Sequence, residues 1–412
     1  MSHKRHQKGT HRMCSPQSTF DKISPFFKDM GITRVANITG LDHIGIPVVT
    51  VCRPDSCAIS VAQGKGLDLM SAKVSGAMEA IETYHAENID LPLKLASYSQ
   101  LSNKYSVLNV DGLPKLAFSQ FSPHEQRLWV EGIELFTQQT TYVPYEVVHC
   151  NYTLPLPTGS GAFAMSSNGL ASGNSVEEAI VHGLCEAIER DALALWKVEQ
   201  RYSNYPETNQ LDLKTIDDED CLEVINQYYR AGINVQVWDI TTDIELPSFY
   251  CRIVSETSQN SDQGPSYPAF GSGTHPCKSI ALLRALTEAA QTRLTMISGS
   301  RDDINANAYE HLDSNKDEGT PPNPPPHLLK NFNDIHSWSN KCFKEDIELI
   351  IGKLKQVNLA QAAFVNLEKS EFKIPVVRVV VPGLEGIDEL PGYQMGTRAL
   401  AIKASVSSGE QA

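Results

Sequence analysis

The sequence predicts a mixed α/β (α+β) fold built from one repeated unit: a short strand, a glycine-containing turn and an acidic helix. Two observations carry this. The pattern G-x-x-E-A-I-E at Gly76–Glu82 recurs at Gly183–Glu189, 107 residues on, and a looser copy, Glu288-Ala289-Ala290-Gln291, follows 102 residues further downstream. That last alignment also places Ala281 on Ala179 and Arg284 on His182. Each copy is preceded by glycines: Gln63-Gly64-Lys65-Gly66, then Ser167 to Asn174, then Gly271 to His275. Residues three apart share a helix face, so Glu79 with Glu82 and Glu186 with Glu189 form adjacent like-charged pairs. Such pairs are unfavourable unless cations sit against them.

Taken in order, residues 1–31 read as a disordered basic tail, since Lys4, Arg5, Lys8 and Arg12 are followed by no apolar run of signal-peptide type. Residues 32–390 read as one domain. Ile44 to Cys52 and Ala58 to Ala62 predict two strands around Arg53-Pro54-Asp55-Ser56. Asp68 is placed to cap a helix from about Leu69 to Ala86 whose apolar face is Val74, Met78 and Ile81. Trp129 to Thr137 and Thr141 to Val148 form a predicted hairpin, with Pro144 marking an edge strand.

The central helix should begin near Val176 and run to about Val198, with Ser175 and Glu178 at capping-box spacing. A helix from Asp217 to Ala231, strands at Ile233 to Ile240 and Pro247 to Val254, and a third acidic helix from about Ser279 to Met296 follow. Residues 298–338 read as a polar insertion containing Pro321-Pro322-Asn323-Pro324-Pro325-Pro326. A helix at Asp346 to Val357 and strands at Gln361 to Leu367 and Val376 to Val381 close the regular part, and residues 391–412 read as a loose C-terminal tail.

Bulk properties narrow the function. The 412 residues are 41% hydrophobic and 20% charged, with 35 basic against 49 acidic residues. A net charge of −14 disfavours nucleic acid as a partner, because a phosphate backbone is gripped by cations. No eighteen apolar residues run together, which excludes a spanning helix of ordinary length. Nine scattered cysteines without a C-x-x-C pair suit reduced thiols in a cytoplasm.

Familiar nucleotide loops fail. Lys278-Ser279 imitates the end of a P-loop but Cys277 stands where glycine is required, and Gly159-Ser160-Gly161 lies in no βαβ unit. The acidic helices are the better signal. A solvated helix face paired with lysines, Lys73 for example, is the plain alternative. Against it, Ala80, Ile81, Ala187 and Ile188 surround the pairs with apolar residues. Convergence would gather Glu79, Glu82, Glu186, Glu189 and Glu288 in one cleft, where Mg²⁺ with nucleotide phosphates is the natural occupant. Lys65, Arg190, Arg284 and Arg293 supply positive charge for either ion pairing or phosphate. Glu178 is explained by the capping box but is free for a second role, and Asn174 is equally a turn residue or a phosphate contact. His85, His182 and His275 have no partner at metal-ligand spacing.

Three stretches, Gly64 to Glu82, Ser167 to Asp191 and Arg284 to Arg293, resemble the YcaO family, ATP-dependent enzymes that activate backbone amides. Pro375 to Gly386 resembles that family's closing segment. The resemblance implies a YcaO-type fold around one ATP/Mg²⁺ cleft. It implies metal ligands at Glu79, Glu82, Glu178, Glu186, Glu189 and Glu288. Nucleotide contacts are implied at Ser75, Glu82, Asn174, Glu178, Arg190 and Arg284, to which the charge argument adds Lys65 and Arg293. Catalysis then falls to Glu186, Glu189, Arg190 and Arg284. Thr83 stands where some relatives carry arginine.

The implied reaction is phosphoryl transfer from ATP to an amide oxygen of a precursor peptide or protein, coupled to attack by a nucleophile and loss of phosphate. Azoline-forming members end in a proline-rich tail, whereas this sequence ends Ala404 to Ala412. That ending, with Ile32 to Gly40 and Gly45 to Pro54, resembles members paired with a TfuA partner and linked to backbone thioamides. The expectation is therefore a thioamide-installing enzyme with a TfuA-like partner and separate leader-recognition or sulfur-delivery proteins. An azoline-forming cyclodehydratase is the first alternative, and a nucleotide-binding accessory protein for ribosomal-protein modification the second. A homodimer is one expectation at this size. Glu186→Gln or Glu189→Gln is expected to abolish turnover with little loss of stability.

Overall fold

The computed structural model describes residues 2–119, 121–203, 209–255, 268–304, 309, 325 and 328–408. Its architecture is mixed α/β, and it places one long helix against each of three sheets. The first sheet joins β1 (Arg34–Asn37), β2 (Val48–Cys52) and β3 (Val61–Lys65), antiparallel in that order, and is covered by α2 (Leu69–Glu87). Upstream of it lies the short helix α1 (Pro16–Ile23). The predicted strand Ile44–Cys52 shortens to Val48–Cys52 because Gly45 takes φ +85°, while Ile44 and Ile46 turn into a neighbouring core.

The second sheet contains six strands. Its path is β4 (Leu93–Ser97), β5 (Gln126–Glu134), β13 (Ala363–Asn366), β14 (Val376–Val380) and β7 (Leu170–Ser172), with β6 (Thr140–Pro144) on β5. The short helix α3 (Tyr98–Ser102) follows β4. Over this sheet runs α4 (Val176–Tyr202), burying Ile180, Leu184 and Ile188 with Val377 and Val379. The strand β8 (Leu211–Asp212) and helix α5 (Glu219–Arg230) lead to the third sheet. There β9 (Ile233–Asp239), β10 (Ser248–Ser255) and β11 (Ala269–Thr274) pair antiparallel under α6 (Lys278–Ser298). β12 (Lys330–Asn331) pairs with β8, α7 (Phe343–Gln356) packs on α4, and α8 (Thr397–Ser408) covers the last turns of α4.

The glycines ahead of the acidic helices, expected as turn formers, lie partly inside strands. Gly64 belongs to β3, and a Cβ there would run into the backbone of Gly76 in α2. Gly273 belongs to β11, where a Cβ would meet the Ala281 carbonyl of α6. Both let a helix lie on its strand at backbone contact, which brings each helix's carboxylates close to the strand ends.

Three expectations are corrected. Residues 2–31 are not a loose tail: Ser15 caps α1, and Lys4 Nζ lies 2.6 Å from Asp346 Oδ2 of α7 with both side chains buried. Two of the basic residues that suggested disorder, Lys4 and Arg12, face the acidic partners Asp346 and Glu178. Residues 397–408 likewise form α8, because Glu385 accepts the N–H groups of Gly396 and Ala399, and Arg398 bridges Asp191 and Asp243. The capping box at Ser175 is half made, since Ser175 Oγ accepts the Glu178 N–H but the Glu178 carboxylate turns elsewhere. Most of the proline-rich insertion, and residues 409–412, lie outside the described residues. Among the described residues no helix is long and apolar enough to cross a membrane, and all nine cysteines are free.

Candidate active site

Each acidic helix reaches a strand of the next unit: α2 touches β7, α4 touches β11 and α6 touches β3. On α2, Glu82 is buried and accepts Ser172 Oγ at 2.6 Å, which ties it to the end of β7 just before α4. Glu178 in the first turn of α4 accepts the Met13 N–H at 2.9 Å through Oε2. Its Oε1 lies 3.6 Å from Arg12 Nε and accepts Asn174 Nδ2 at 3.3 Å. Asn174 Oδ1 accepts Thr19 Oγ1 at 3.0 Å, so α1 and the segment before it dock on the start of α4. Three turns further along, the buried Glu189 accepts Ser272 Oγ at 2.8 Å and Thr274 N–H at 3.0 Å from β11. Glu288 on α6 completes the ring by pairing with Lys65 Nζ of β3 at 2.5 Å.

Burial dominates the electrostatics. It pushes Glu79 up to about 7, against the pull of Lys65 and Arg301. It pushes Glu82 up to about 8, opposed by the Ser172 hydrogen bond and reinforced by Glu186 and Glu79. It pushes Glu186 up to about 7, opposed by Arg190 and reinforced by Glu189. For Glu288 burial is outweighed by Lys65 and Arg190, which hold it below the usual carboxylate range. Arg12 is lowered by burial although Glu178 and Glu82 favour its charged form, and Arg284 repels it. Anionic and cationic groups therefore alternate along α4: Arg12 and Arg284 toward its start, Arg190 beyond Glu186 and Glu189.

Among the described residues, no three His, Cys, Asp or Glu side chains close on one point. The donor set nevertheless fits a hard divalent cation. Glu82, buried, and Glu79 and Glu186, half-buried, lack full compensation of their ionised forms and can be neutralised by an ion that takes few protein oxygens and shares the rest with phosphate and water. The flanking arginines fit a polyanion in the same space.

Of the residues singled out in the sequence, Glu79, Glu82, Glu178, Glu186, Glu189 and Glu288 belong to this cluster. Lys65, Asn174, Arg190 and Arg284 do as well. Ser75 lies half-buried on α2, one turn before Glu79 on the same face. Arg293 does not belong, and its assignment as a nucleotide contact is corrected: it is fully buried, with Nε 2.7 Å from Asp42 Oδ2. Five residues separate it from Glu288, about 140° past a full turn, enough to carry it round α6 away from the cleft. Thr83 Oγ1 bonds the Glu79 carbonyl of its own helix. Burial lowers the pKa of both His182 and His275, and His275 Nδ1 accepts the Cys277 N–H.

Sequence reasoning missed Arg12, Thr19, Ser172 and Ser272. A signal existed for the first two: Ser15-Pro16 is an N-cap followed by proline at N1, which announces an ordered helix and not a tail. No signal marked the serines, whose roles arise from strand ends meeting helices.

A family profile described as YcaO cyclodehydratase, ATP- and Mg²⁺-binding, matches residues 63–385. An uncharacterized protein of the tfuA 3′ region in Rhizobium leguminosarum bv. trifolii is 34% identical over 406 residues, covering 94% of this chain and 92% of that protein. A solved heterocyclase in complex with substrate and cofactor superposes over 100% of this chain at a TM-score of 0.77 and 22% identity, this chain spanning 57% of it. YcaO from Methanopyrus kandleri, bound with AMPPCP and Mg²⁺, superposes over 96% of this chain and 99% of its own at a TM-score of 0.71 and 22% identity. At such identities the two structures speak to the fold.

Proposed function

The chain belongs to the YcaO family, and on that premise we propose that it uses ATP and Mg²⁺ to activate a backbone amide of a peptide or protein by O-phosphorylation. The observation that carries this reading is the ring in which each acidic helix ties to a strand of the next unit, with Glu82 buried and Glu79 and Glu186 half-buried beside Arg190 and Arg284. Glu79, Glu82, Glu178, Glu186, Glu189 and Glu288 would hold Mg²⁺, which when bound neutralises phosphate oxygens and orients the transferring group. Arg12, Lys65, Arg190 and Arg284 neutralise the remaining phosphate charge. Ser172, Ser272 and Thr274 hold Glu82 and Glu189 in place, so the ligands are organised before the nucleotide arrives.

The finer reading is thioamide installation in a ribosomally made peptide with a TfuA-like partner protein, supported by the relative in the tfuA 3′ region. Azoline formation is the second reading, favoured by the cyclodehydratase description of the family and by the fold shared with the heterocyclase. One experiment separates them. A precursor peptide is incubated with the enzyme, ATP, Mg²⁺, sulfide and the TfuA-like protein, and its mass is measured. Exchange of one oxygen for one sulfur supports the thioamide; loss of one water supports the azoline. Absence of both, with no peptide-stimulated phosphate release, would leave nucleotide binding without amide chemistry.

A further inference from the structure

We propose that Trp196, Tyr250 and Phe270 form the acceptor wall of the cleft, a surface that takes an aromatic side chain of the substrate peptide next to the activated amide. This rests on the amide-activation reading above.

Helix periodicity places the first ring. Glu186, Glu189, Leu193 and Trp196 follow one stripe of α4, so Trp196 lies two turns beyond Glu189 on the same side. Strand periodicity places the others. Phe270, Ser272 and Thr274 share one face of β11, and Ser272 and Thr274 are the residues that bind Glu189. Tyr250 stands opposite Ser272 on β10. Its ring stacks on Phe270, with centroids 5.6 Å apart and planes 12° apart, and lies 4.7 Å from Trp196. Across the strand pair from Tyr250, Trp238 is buried, 6.0 Å from both Trp196 and Tyr250, and among the described residues its Nε1 has no hydrogen-bond partner.

All three front rings are partly exposed. Trp196 and Tyr250 pack with a small group separate from the three large cores, and Phe270 joins them through its stack on Tyr250, so closing those cores does not require them. Their position selects the occupant. The start of α4 is closed by Arg12, Met13 and Asn174. An amide that is to meet phosphate must then approach from the Arg190 end. Arg190 follows Glu189 directly and lies 3.8 Å from its carboxylate, and the α4 stripe carries Trp196 two turns further on from that end of the charged cluster. A polar rim surrounds them, with Lys197 paired to Asp388 and Glu389, and Arg252 donating to Gln236. Partly exposed rings inside a polar rim, continuous with a reaction centre, suit an apolar side chain of the acceptor.

The test uses the full chain with Mg²⁺ and AMPPCP, and two acetylated, amidated tripeptides, Phe-Gly-Phe and Asp-Gly-Asp, as calorimetric probes. The aromatic probe is expected to bind about tenfold more tightly than the acidic one, as burial of one ring implies. Tyr250→Ala and Phe270→Ala should each abolish that preference while AMPPCP affinity is retained. Tyr250→Leu and Phe270→Leu keep most of the volume, and decide the matter if the alanine variants unfold. Equal binding of the two probes to the native chain, or an undiminished preference in folded variants, overturns the proposal. If the preference is present and lost on mutation but AMPPCP does not bind the native chain, the wall stands and the nucleotide reading falls.

Discussion

Arg12 Nε and Glu178 Oε1 lie 3.6 Å apart, and the next backbone N–H, that of Met13, donates to the other oxygen of the same carboxylate at 2.9 Å. A residue near the chain start thereby borders the carboxylate cluster on α4. Arg12→Ala is expected to weaken AMPPCP·Mg²⁺ binding about tenfold, the scale of one charge-assisted contact. The melting temperature should change little, because Glu178 keeps its hydrogen bonds from the Met13 N–H and Asn174 Nδ2. Calorimetric titration measures the affinity, and an unchanged value would remove Arg12 from the site.

Glu186 and Glu189 should separate in stability although both variants lose peptide-stimulated phosphate release. Glu189 accepts from Ser272 Oγ and Thr274 N–H, so Glu189→Gln places an amide NH₂ where one acceptor oxygen stood. A loss of about 1 kcal/mol is expected. Glu186→Gln removes a carboxyl whose ionisation burial already opposes, and should be neutral or stabilising. Denaturant unfolding of both variants checks the order, which sharpens the equal outcome expected from sequence.

The buried glutamates give the metal-free protein a defined pH response. Glu79 and Glu186 rise from 4.5 to about 7, and Glu82 to about 8, so between these limits the native state holds protons that the unfolded state has released. Their contribution to stability is full below about 4.5 and is lost as pH rises through about 7 to 8. The melting temperature should fall as pH rises from about 4.5 to about 8 and level off above. Mg²⁺ with nucleotide requires the ionised carboxylates, so binding at neutral pH should release protons and stabilise more as pH rises. Titration in two buffers of different ionisation heat reads the release. Its absence would show that these glutamates do not ligate.

Arg398 Nε lies 3.0 Å from Asp191 Oδ1, and Asp191 is fully buried. Arg398→Ala should cost about 3 kcal/mol by leaving that carboxylate unpaired, and should loosen α8 from α4. Urea unfolding measures the loss; a change within error would make the ion pair incidental.

Local patterns were legible where one short segment contains its own explanation. Asp68 caps α2, Ser175 caps α4 ahead of Val176, and α6 spans nearly the predicted residues, because each helix carries its apolar face, and α2 and α4 also their caps, in consecutive residues. Gly64 and Gly273 were misread as turn formers because the reason for them, a helix backbone at contact distance, is supplied by residues that follow the strand. Arg293 shows the same limit for charge. Its sequence places it near Glu288, while its partner Asp42 comes from the other end of the chain.

The sequence by itself determined the mixed α/β class, the family and the repeated acidic helices, since repetition and periodicity are properties of order along the chain. Only the tertiary structure decided which charges meet. It took Glu178 from its cap to Arg12, drew the supposed basic tail onto the start of α4, paired Arg293 with Asp42, and packed Tyr250 against Trp196 and Phe270. The physical reason is range. Helix and strand preferences act over a few residues, whereas desolvation and ion pairing depend on whatever the fold brings within a few ångströms.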